Sequence, residues 1–345
     1  MAGVTAGDVA LEIEDLAVEY QSRGSTARVL PGVDLALNRG EILGLVGESG
    51  SGKSTLALAI LRLLPANGRV AGGRILLDGA TNLAALSEES LRRVRGQRIA
   101  MVFQDPLTSL NPVFRIGSQM VDVQAAHCDH RVRRRDRSEY LARAVSLLRR
   151  VGLPDPEQIV RAYPHQLSGG MRQRVVIAMA LSLEPGLLIA DEPTSALDVT
   201  LEAQILALLR EIQADRDLSI LFVTHDLSVV AQICHRVAVM YAGQIVEQGE
   251  VADVFKSPQH PYTEALLATV PSRAQRGRAL ATVPGQVPSL LGELTGCRFA
   301  SRCRYQQEIC HSEAPRVVNS GASEAVRCHM RDPSSSFDHE PVPSP

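Results

Sequence analysis

Alternating apolar and polar positions dominate the first part of the chain. Residues 11–20 and 29–37 alternate in this way, which is typical of strands with one buried face. Residues 74–78 and 98–104 are further strand candidates. The beginning of the chain is therefore predicted to be rich in half-buried strands.

Short apolar runs and helical patterns take turns in most of the remaining chain. Four apolar runs suit buried strands: residues 41–46, 187–190, 219–224 and 236–241. Five segments have helical character: residues 56–64, 141–151, 168–183, 200–216 and 227–234. This alternation predicts an α/β core with a mostly parallel sheet.

A glycine-rich loop lies between the first buried strand and the first of these helices. It has the pattern G-x-x-x-x-G-K-S over residues 47–54, in the strand, loop and helix context that phosphate binding requires. Backbone N–H groups and the helix N-terminus form an anion site there. The candidate nucleotide-binding residues are Gly47, Glu48, Ser49, Gly50, Ser51, Gly52, Lys53, Ser54 and Thr55. Lys53 is expected to reach the terminal phosphates, and the Ser54 hydroxyl to bind Mg²⁺.

Composition excludes several other classes of protein. The 345 residues carry a formal charge of −2, only 3% are aromatic, and Trp is absent, so nucleic-acid binding is not expected. The sequence contains neither an 18-residue apolar run nor a signal-peptide pattern, which predicts a cytosolic chain without a transmembrane segment. Its six cysteines are then better interpreted as thiols or metal ligands than as disulfides.

Polar residues at strand ends are candidates for the reaction itself. Asp191 and Glu192 follow an apolar run, where one carboxylate can orient a Mg²⁺ shell and the other can polarise an attacking water. A pair of turn acids is the alternative. Gln104 and His225 also end predicted strands, and their side chains could contact the Mg²⁺ shell and a γ-phosphate, respectively.

A second candidate anion site lies at the start of the helix predicted over residues 168–183. Ser168, Gly169 and Gly170 come at its N-terminus, where backbone N–H groups and the helix dipole attract anions. An ordinary Ser N-cap explains the same residues without a ligand.

In their order along the chain, these motifs resemble those of ATP-binding-cassette (ABC) ATPases over about residues 11–250. The resemblance implies a P-loop NTPase core with an N-terminal antiparallel β subdomain and a helical subdomain at about residues 105–185. It also implies a head-to-tail dimer that holds ATP between the phosphate loop of one subunit and the signature stretch (residues 167–174) of the other. By position, Glu192 resembles the general base and His225 the switch histidine. Asp198 falls on the loop between the two sites, and Tyr20 on an adenine-stacking position, although a strand-face Tyr is the alternative.

Asp191, Ser54 and Gln104 match Mg²⁺ positions of that family, and Ser168 to Gly170 match the contact to the γ-phosphate across the dimer. Met171 is the one departure, since many members have Gln there.

Longer stretches narrow the resemblance to the oligopeptide and dipeptide importer ATPases. Residues 104–112, 163–174, 239–243 and 260–267 carry it, and Met171 is similar to the D-type subunit. The resemblance implies an F-type ATPase partner, two membrane permeases, an extracytoplasmic binding protein and a place at the cytoplasmic face of the membrane. The permeases are expected to contact the loop after Gln104 and the helical segment that follows. We predict a nucleotide-binding domain over residues 1–256, a small Cys-rich domain over 257–331 and a disordered tail over 332–345.

Four cysteines cluster near the C-terminus: Cys297, Cys303, Cys310 and Cys328. Four thiolates suit zinc or an iron–sulfur cluster, although the paired C-x2-C spacing of structural zinc sites is missing. The resemblance implies a 4Fe–4S cluster, with zinc or unligated thiols as alternatives. His127 and His130 beside Cys128 are expected to be solvated, as is the Arg-rich run 131–137.

Two other functions fit parts of these patterns. A soluble cassette ATPase of DNA repair or translation usually has tandem cassettes or a coiled-coil insertion, and this sequence has neither. A regulatory protein without turnover would be expected to lack Glu192 or His225, and both are present. Within the importer hypothesis the cargo stays open among dipeptides, oligopeptides, glutathione and nickel.

Overall fold

The computed structural model describes residues 9–22, 24–128, 133–195, 197–270, 282–290, 294–319 and 324–337. Among the positions discussed above, His130, Arg131 and residues 338–345 lie outside this part of the chain. The chain divides into two compact units, Met1–Ala84 with Val223–Pro345 and Ala85–Phe222. Neither boundary coincides with the predicted division at residue 256.

The first unit begins with an antiparallel sheet. Its elements are β1 (Val9–Ser22), β2 (Ser25–Asn38), β4 (Gly68–Leu77) and β5 (Thr81–Asn82), in the order β2-β1-β4-β5. Between them lie β3 (Ile42–Val46) and the helix α1 (Lys53–Ile60). In β2, Val33, Leu35 and Leu37 are buried and alternate with less buried residues, as the sequence pattern predicts, whereas Leu16, Ala17 and Val18 of β1 are buried in succession. β1 pairs antiparallel with both β2 and β4, so the expected antiparallel β subdomain is confirmed.

A second sheet of the same unit has the strand order β11-β12-β10-β9-β3. β9 lies parallel to β3, and both strands are completely buried, which explains their unbroken apolar sequences. The later elements of this unit are α9 (Leu227–Ile233), β9 (Arg236–Tyr241), β10 (Gln244–Glu250), α10 (Val251–Lys256), α11 (Pro261–Thr269), α12 (Glu308–Ser312), β11 (Val317–Asn319) and β12 (Ala325–Arg327).

The Cys-rich extension (residues 257–331) continues this second sheet. β12 pairs antiparallel with β10, and β11 pairs with β12. Phe299 packs in the same hydrophobic cluster as Val239 and Tyr241 of β9. The extension is therefore built onto the fold of the first unit.

The prediction of a disordered tail is wrong for residues 332–337. Phe337 is buried against Cys310 and Ala300, and Asp332 accepts hydrogen bonds from the Ser334 amide and hydroxyl. A single aromatic residue thus anchors a segment whose composition is otherwise typical of disorder.

The second unit combines a parallel sheet with a group of helices. Its strands are β6 (Ile99–Val102), β7 (Leu187–Asp191) and the first four residues of β8 (Ser219–Thr224), in the order β8-β7-β6. Its helices are α2 (Glu88–Val94), α3 (Pro106–Ser109), α4 (Ile116–Ala125), α5 (Arg134–Arg150), α6 (Pro156–Ile159), α7 (Gly169–Ala180) and α8 (Val199–Arg216). Helix α5 packs against α4, α6 and α7, and its Ala144 and Leu148 are fully buried.

Candidate functional site

The phosphate loop (residues 47–54) connects β3 to α1 in the first unit. Gly50 and Gly52 have φ angles of 79° and 104°, in the left-handed region that favours glycine. A Cβ on Gly47 would lie 2.1 Å from the Met240 carbonyl oxygen of β9, so no side chain fits there. The glycines of the motif are thus required by backbone conformation and by close approach to the sheet.

Lys53 lies at the first position of α1 and folds back over the loop. Its Nζ donates hydrogen bonds to the carbonyl oxygens of Gly47 and Glu48, at 2.7 and 2.9 Å, and to Ser51 Oγ at 3.4 Å. The ammonium group is therefore held at the inner side of the loop, where it can move onto the phosphates of a nucleotide. Ser54, on the first turn of α1, is exposed.

Tyr20 of β1 lies beside the first turn of α1. Its hydroxyl is 3.5 Å from Thr55 Oγ1, and its ring lies against Gly68, where a Cβ would approach the ring to 2.9 Å. The side chain is only partly buried, so one part of it stays accessible next to the phosphate loop. Adenine stacking on this ring stays a prediction. His225 follows β8 and is exposed.

The second unit brings Gln104 and Glu192 together at the carboxyl ends of two adjacent parallel strands. Val102 of β6 pairs with Ala190 of β7, so the residues that follow them emerge at the same edge. Gln104 Nε2 donates a hydrogen bond of 2.9 Å to Glu192 Oε2. Asp191, the last residue of β7, is 5% exposed.

Glu192 has a φ of 47°, an uncommon conformation for a residue with a side chain. Its carbonyl oxygen accepts hydrogen bonds from the Ser195 amide and hydroxyl, which hold the turn after β7. Such backbone strain is frequent at active sites, where the surrounding structure compensates for it.

The signature stretch begins α7 as the sequence predicts. Ser168 is the N-cap and accepts a hydrogen bond of 3.3 Å from the Met171 amide, so the capping role is present. The two glycines differ in their surroundings. A Cβ on Gly169 would meet nothing within 4 Å, whereas one on Gly170 would lie 2.1 Å from Leu201 Cδ2 of α8.

Asp198 has a comparable role as the N-cap of α8. Its carboxylate accepts a hydrogen bond of 3.0 Å from the Leu201 amide. A place between two nucleotide sites of a dimer stays a prediction for this residue.

A cavity of about 140 Å³ joins the predicted catalytic and signature residues of the second unit. Gln104, Glu192, Gly169 and Gln173 are among the residues that line it. Gln173 was not a candidate site residue, yet it is 1% exposed and its Nε2 has no hydrogen-bond partner. A buried unpaired amide is costly, so this group is suited to bond a ligand that enters the cavity. Its place inside the signature stretch was the available sequence signal.

All four cysteines of the Cys-rich extension line one cavity of about 20 Å³, together with Phe299 and Phe337 among others. Burial raises the pKa of the Cys297, Cys303 and Cys328 thiols to about 11, and the charges of neighbouring thiols raise each pKa as well. The thiols are therefore neutral at pH 7 unless a cation binds them. Cys310 is the most deeply buried of the four.

Within the described part of the chain, no group of three or more His, Cys, Asp or Glu side chains has the arrangement of a metal site, and this finding includes the four cysteines of the extension. The Cys128 thiol contacts the Tyr140 hydroxyl, and this contact together with burial raises the pKa of Tyr140 to about 12.

Comparison with known families extends the match beyond single motifs. The family model for "ABC transporter" matches residues 30–195, and that for "Oligopeptide/dipeptide transporter, C-terminal region" matches residues 246–310. A probable peptide ABC transporter ATP-binding protein of Sinorhizobium fredii, y4tR, is 48% identical, over 93% of this chain and 95% of its own length.

The chain belongs to the ABC transporter family.

Two further relatives of this family carry names that state a cargo. The oligopeptide transport ATP-binding protein OppD of Bacillus subtilis is 46% identical, over 94% of this chain and 89% of its own length. The dipeptide transport ATP-binding protein DppD of Escherichia coli is 42% identical, over 92% and 96%, respectively.

Solved structures agree on the ABC cassette fold. The dimeric ATP-binding cassette MJ0796, in a post-hydrolysis state with ADP and phosphate, is 26% identical with a TM-score of 0.62, over 70% of this chain and 98% of its own. The chain is thus an ATPase of the ABC type with a P-loop core, as the motifs predict. Among the described residues, none of the helices has the length and apolar character needed to span a membrane.

Proposed function

We propose that this ABC ATPase hydrolyses ATP to drive the import of dipeptides or oligopeptides across the cytoplasmic membrane. The observation that supports this function is the presence in one chain of both a cassette match and a match to the C-terminal region of oligopeptide and dipeptide transporters. Relatives whose names state peptide, oligopeptide or dipeptide transport match more than nine-tenths of the chain. Nickel or glutathione as the cargo of the same machine is the alternative.

The proposed partners follow from the same family. A second, F-type ATPase subunit would complete the two nucleotide sites, and two permeases with an extracytoplasmic binding protein would supply the pathway and the cargo. The chain would then lie at the cytoplasmic face of the membrane. Exposed apolar residues after Gln104 support permease docking there, since Val113 and Phe114 are 71% and 53% exposed.

The proposed reaction is attack of water on the γ-phosphate of ATP. Glu192 accepts the proton of that water, and its hydrogen bond with Gln104 keeps the carboxylate oriented at the strand edge. Ser168 to Gly170 contact the γ-phosphate bound to the opposite subunit, and His225 contacts it from the subunit's own side. Tyr20 stacks on the adenine. Asp198 lies between the two sites of the dimer.

Mg²⁺ accompanies ATP in this family, and oxygen atoms of Ser54, Gln104 and Asp191 are the proposed ligands. These residues suit the ion, because Mg²⁺ prefers carboxylate, hydroxyl and carbonyl oxygen. The buried carboxylate of Asp191 gains a charge partner when the cation binds. The ion supplies charge stabilisation at the phosphates.

The substitution Glu192→Gln tests the catalytic assignment. The amide has the shape of the carboxylate and can still accept the Gln104 hydrogen bond, but it cannot take a proton from water. We expect turnover to fall by at least about 100-fold, while ATP binding persists and traps a closed dimer. Normal hydrolysis by this variant would contradict the general-base role.

Reconstitution tests the cargo. The chain, an F-type partner ATPase and two permeases are placed in vesicles with the binding protein, and uptake of a labelled dipeptide, glutathione or nickel is measured with ATP. Peptide uptake that stops with Glu192→Gln supports the proposal. Uptake of only one of the other solutes would replace peptide as the cargo.

We also propose that Cys297, Cys303, Cys310 and Cys328 bind a metal centre in a structural role. The sulfur donors fit a 4Fe–4S cluster or zinc, both of which prefer thiolates. All four thiols line one cavity of about 20 Å³, which supports a shared site for them.

Metal analysis of protein purified without oxygen distinguishes these occupants. A cluster gives broad visible absorbance that Cys303→Ser bleaches, and zinc gives a colourless protein with one equivalent of the ion. Recovery of neither iron nor zinc would leave four unligated thiols and refute the metal centre.

A further inference from the structure

The Cys-rich extension contacts the phosphate loop through one side chain. Arg302 donates a hydrogen bond of 2.6 Å from Nη1 to Glu48 Oε2 and one of 2.9 Å from Nη2 to Glu48 Oε1. Glu48 is the second residue of the phosphate loop. Two parallel charge-assisted bonds fix both the position and the plane of a carboxylate, which a single bond does not.

Arg302 is itself held rigidly. Its side chain is 3% exposed. Its remaining donors bond the carbonyl oxygens of Pro284 and Val283 at 2.7 and 3.1 Å and the Tyr241 hydroxyl at 3.3 Å. Its guanidinium carbon lies 5.6 Å from the ring centre of Tyr241 and 6.0 Å from that of Phe299. Because the guanidinium group of Arg302 is buried and all its sides are bonded, it can hold the Glu48 carboxylate in a fixed position.

The backbone of residue 48 is held from the same side. Its amide donates a hydrogen bond of 2.9 Å to the hydroxyl of Tyr262, a fully buried residue of α11. Its carbonyl oxygen accepts the bond from Lys53 Nζ. Arg302 and Tyr262 therefore set the orientation of the peptide that determines where the Lys53 ammonium group is held.

Backbone hydrogen bonds connect Arg302 to the cysteines. Arg302 is the last residue of the short 3-10 helix Ala300–Arg302. At the start of this helix the Ala300 amide donates a hydrogen bond to the Cys297 carbonyl at 3.0 Å, and at its end the Cys303 amide donates one to the Ala300 carbonyl at 3.1 Å. The Cys297 amide in turn donates to the Cys310 carbonyl at 2.7 Å. The segments that carry the thiols thus form the frame in which Arg302 is fixed.

We propose that Arg302 is a positioning residue for ATP, which acts through Glu48 to keep the phosphate loop in its binding conformation. The Cys-rich extension then sets the affinity of the loop for nucleotide, in addition to any role at the permeases. Two physical effects should each weaken ATP binding when Arg302 is replaced. Without Arg302 the loop loses its support, and the Glu48 carboxylate loses its counter-charge next to the negative phosphates.

This inference rests on the proposed ATPase function, and Arg302→Gln in the full-length chain tests it. We expect the Kd for ATP to rise about tenfold, equivalent to about 1.4 kcal/mol. The KM for ATP should rise with it, while kcat changes by less than about twofold, because Arg302 touches no reacting atom. Arg302→Lys should recover part of the affinity, since an ammonium group restores the charge but not the bidentate geometry.

A matched control lies two residues further along the chain. Arg304 is 64% exposed and bonds Glu264 and Tyr305 instead of the phosphate loop, so Arg304→Gln should leave the Kd unchanged. Glu48→Gln provides a second variant if Arg302→Gln does not fold. In the double variant the Kd should rise little further than in either single one, because both remove the same interaction.

An unchanged Kd in folded Arg302→Gln and Glu48→Gln proteins would overturn the inference, even if their thermal stability falls. A loss of kcat at unchanged KM would also overturn it. A different result, the absence of ATP binding by the wild-type chain, would contradict the ATPase function itself.

Discussion

The two adjacent glycines of the signature stretch should respond in opposite ways to an added methyl group. Gly169 is the first residue of α7, and a Cβ there meets no atom within 4 Å. Gly169→Ala is therefore expected to raise the free energy of unfolding by about 0.5–1 kcal/mol, because alanine loses less backbone entropy in a helix. The open space around the Gly169 Cβ position gives no folding reason for glycine there.

ATP turnover and dimer closure, in contrast, should become less favourable in Gly169→Ala. If the γ-phosphate of the opposite subunit's ATP contacts residues 168–170, the methyl group holds it away by about 1 Å, and such a displacement can cost about 100-fold in rate. That factor equals about 2.7 kcal/mol. ATP must prefer the closed dimer by about 5.5 kcal/mol to reverse a 1:99 balance. If the displaced contact costs that preference the same amount, about half of it is lost and the ratio of closed to open dimer falls to about 1:1.

Thermal unfolding, ATP turnover and ATP-dependent dimerisation in a Glu192→Gln background measure these effects. Gly186→Ala is the matched control, because its Cβ also meets nothing within 4 Å and lies outside the signature stretch. A folded Gly169→Ala protein with wild-type turnover and dimerisation would refute the reasoning, since nothing could then pack on that residue.

Three further predictions concern the first unit. Gly47→Ala should abolish measurable ATP binding in calorimetry, because its Cβ would lie 2.1 Å from the Met240 carbonyl oxygen and must displace the loop; retained affinity would contradict this. Burial lowers the pKa of His260 to about 3, so the unfolded chain is protonated first and stability falls as the pH drops below 6.5. Urea unfolding should reveal a free energy of unfolding that is about 1.4 kcal/mol lower at pH 5.5 than at pH 7.5, a difference that His260→Asn removes, and equal free energies at the two pH values would disprove it. Phe337→Ala should cost about 3 kcal/mol in denaturant unfolding, and a negligible loss would show that the side chain does not stabilise the Cys cavity.

Sequence patterns predicted the buried strands closely. The bounds of β8 and β9 agree with the predicted runs, and β7 extends one residue further, to Asp191. Such strands are buried on both faces, so their sequence is a continuous apolar run that needs no partner to be recognised. The helix start at Ser168 was similarly predictable because capping is local, whereas α8 begins at Val199, one residue before the predicted start. β6 ends at Val102, earlier than predicted, because Phe103 and Gln104 are exposed.

The nucleotide-binding and catalytic candidates were also determined by the sequence, since the phosphate loop, Glu192 and the signature stretch are each short and contiguous. Their chemistry depends on spacing within a few residues, which the chain displays directly. Tertiary structure decided the interactions between distant segments. Glu48 and Arg302 are 254 positions apart, and no local pattern marks Arg302 as a partner of the phosphate loop. The same holds for Phe337 beside Cys310 and for the unpaired amide of Gln173, because burial and hydrogen-bond partners exist only once the sheets and helices have packed.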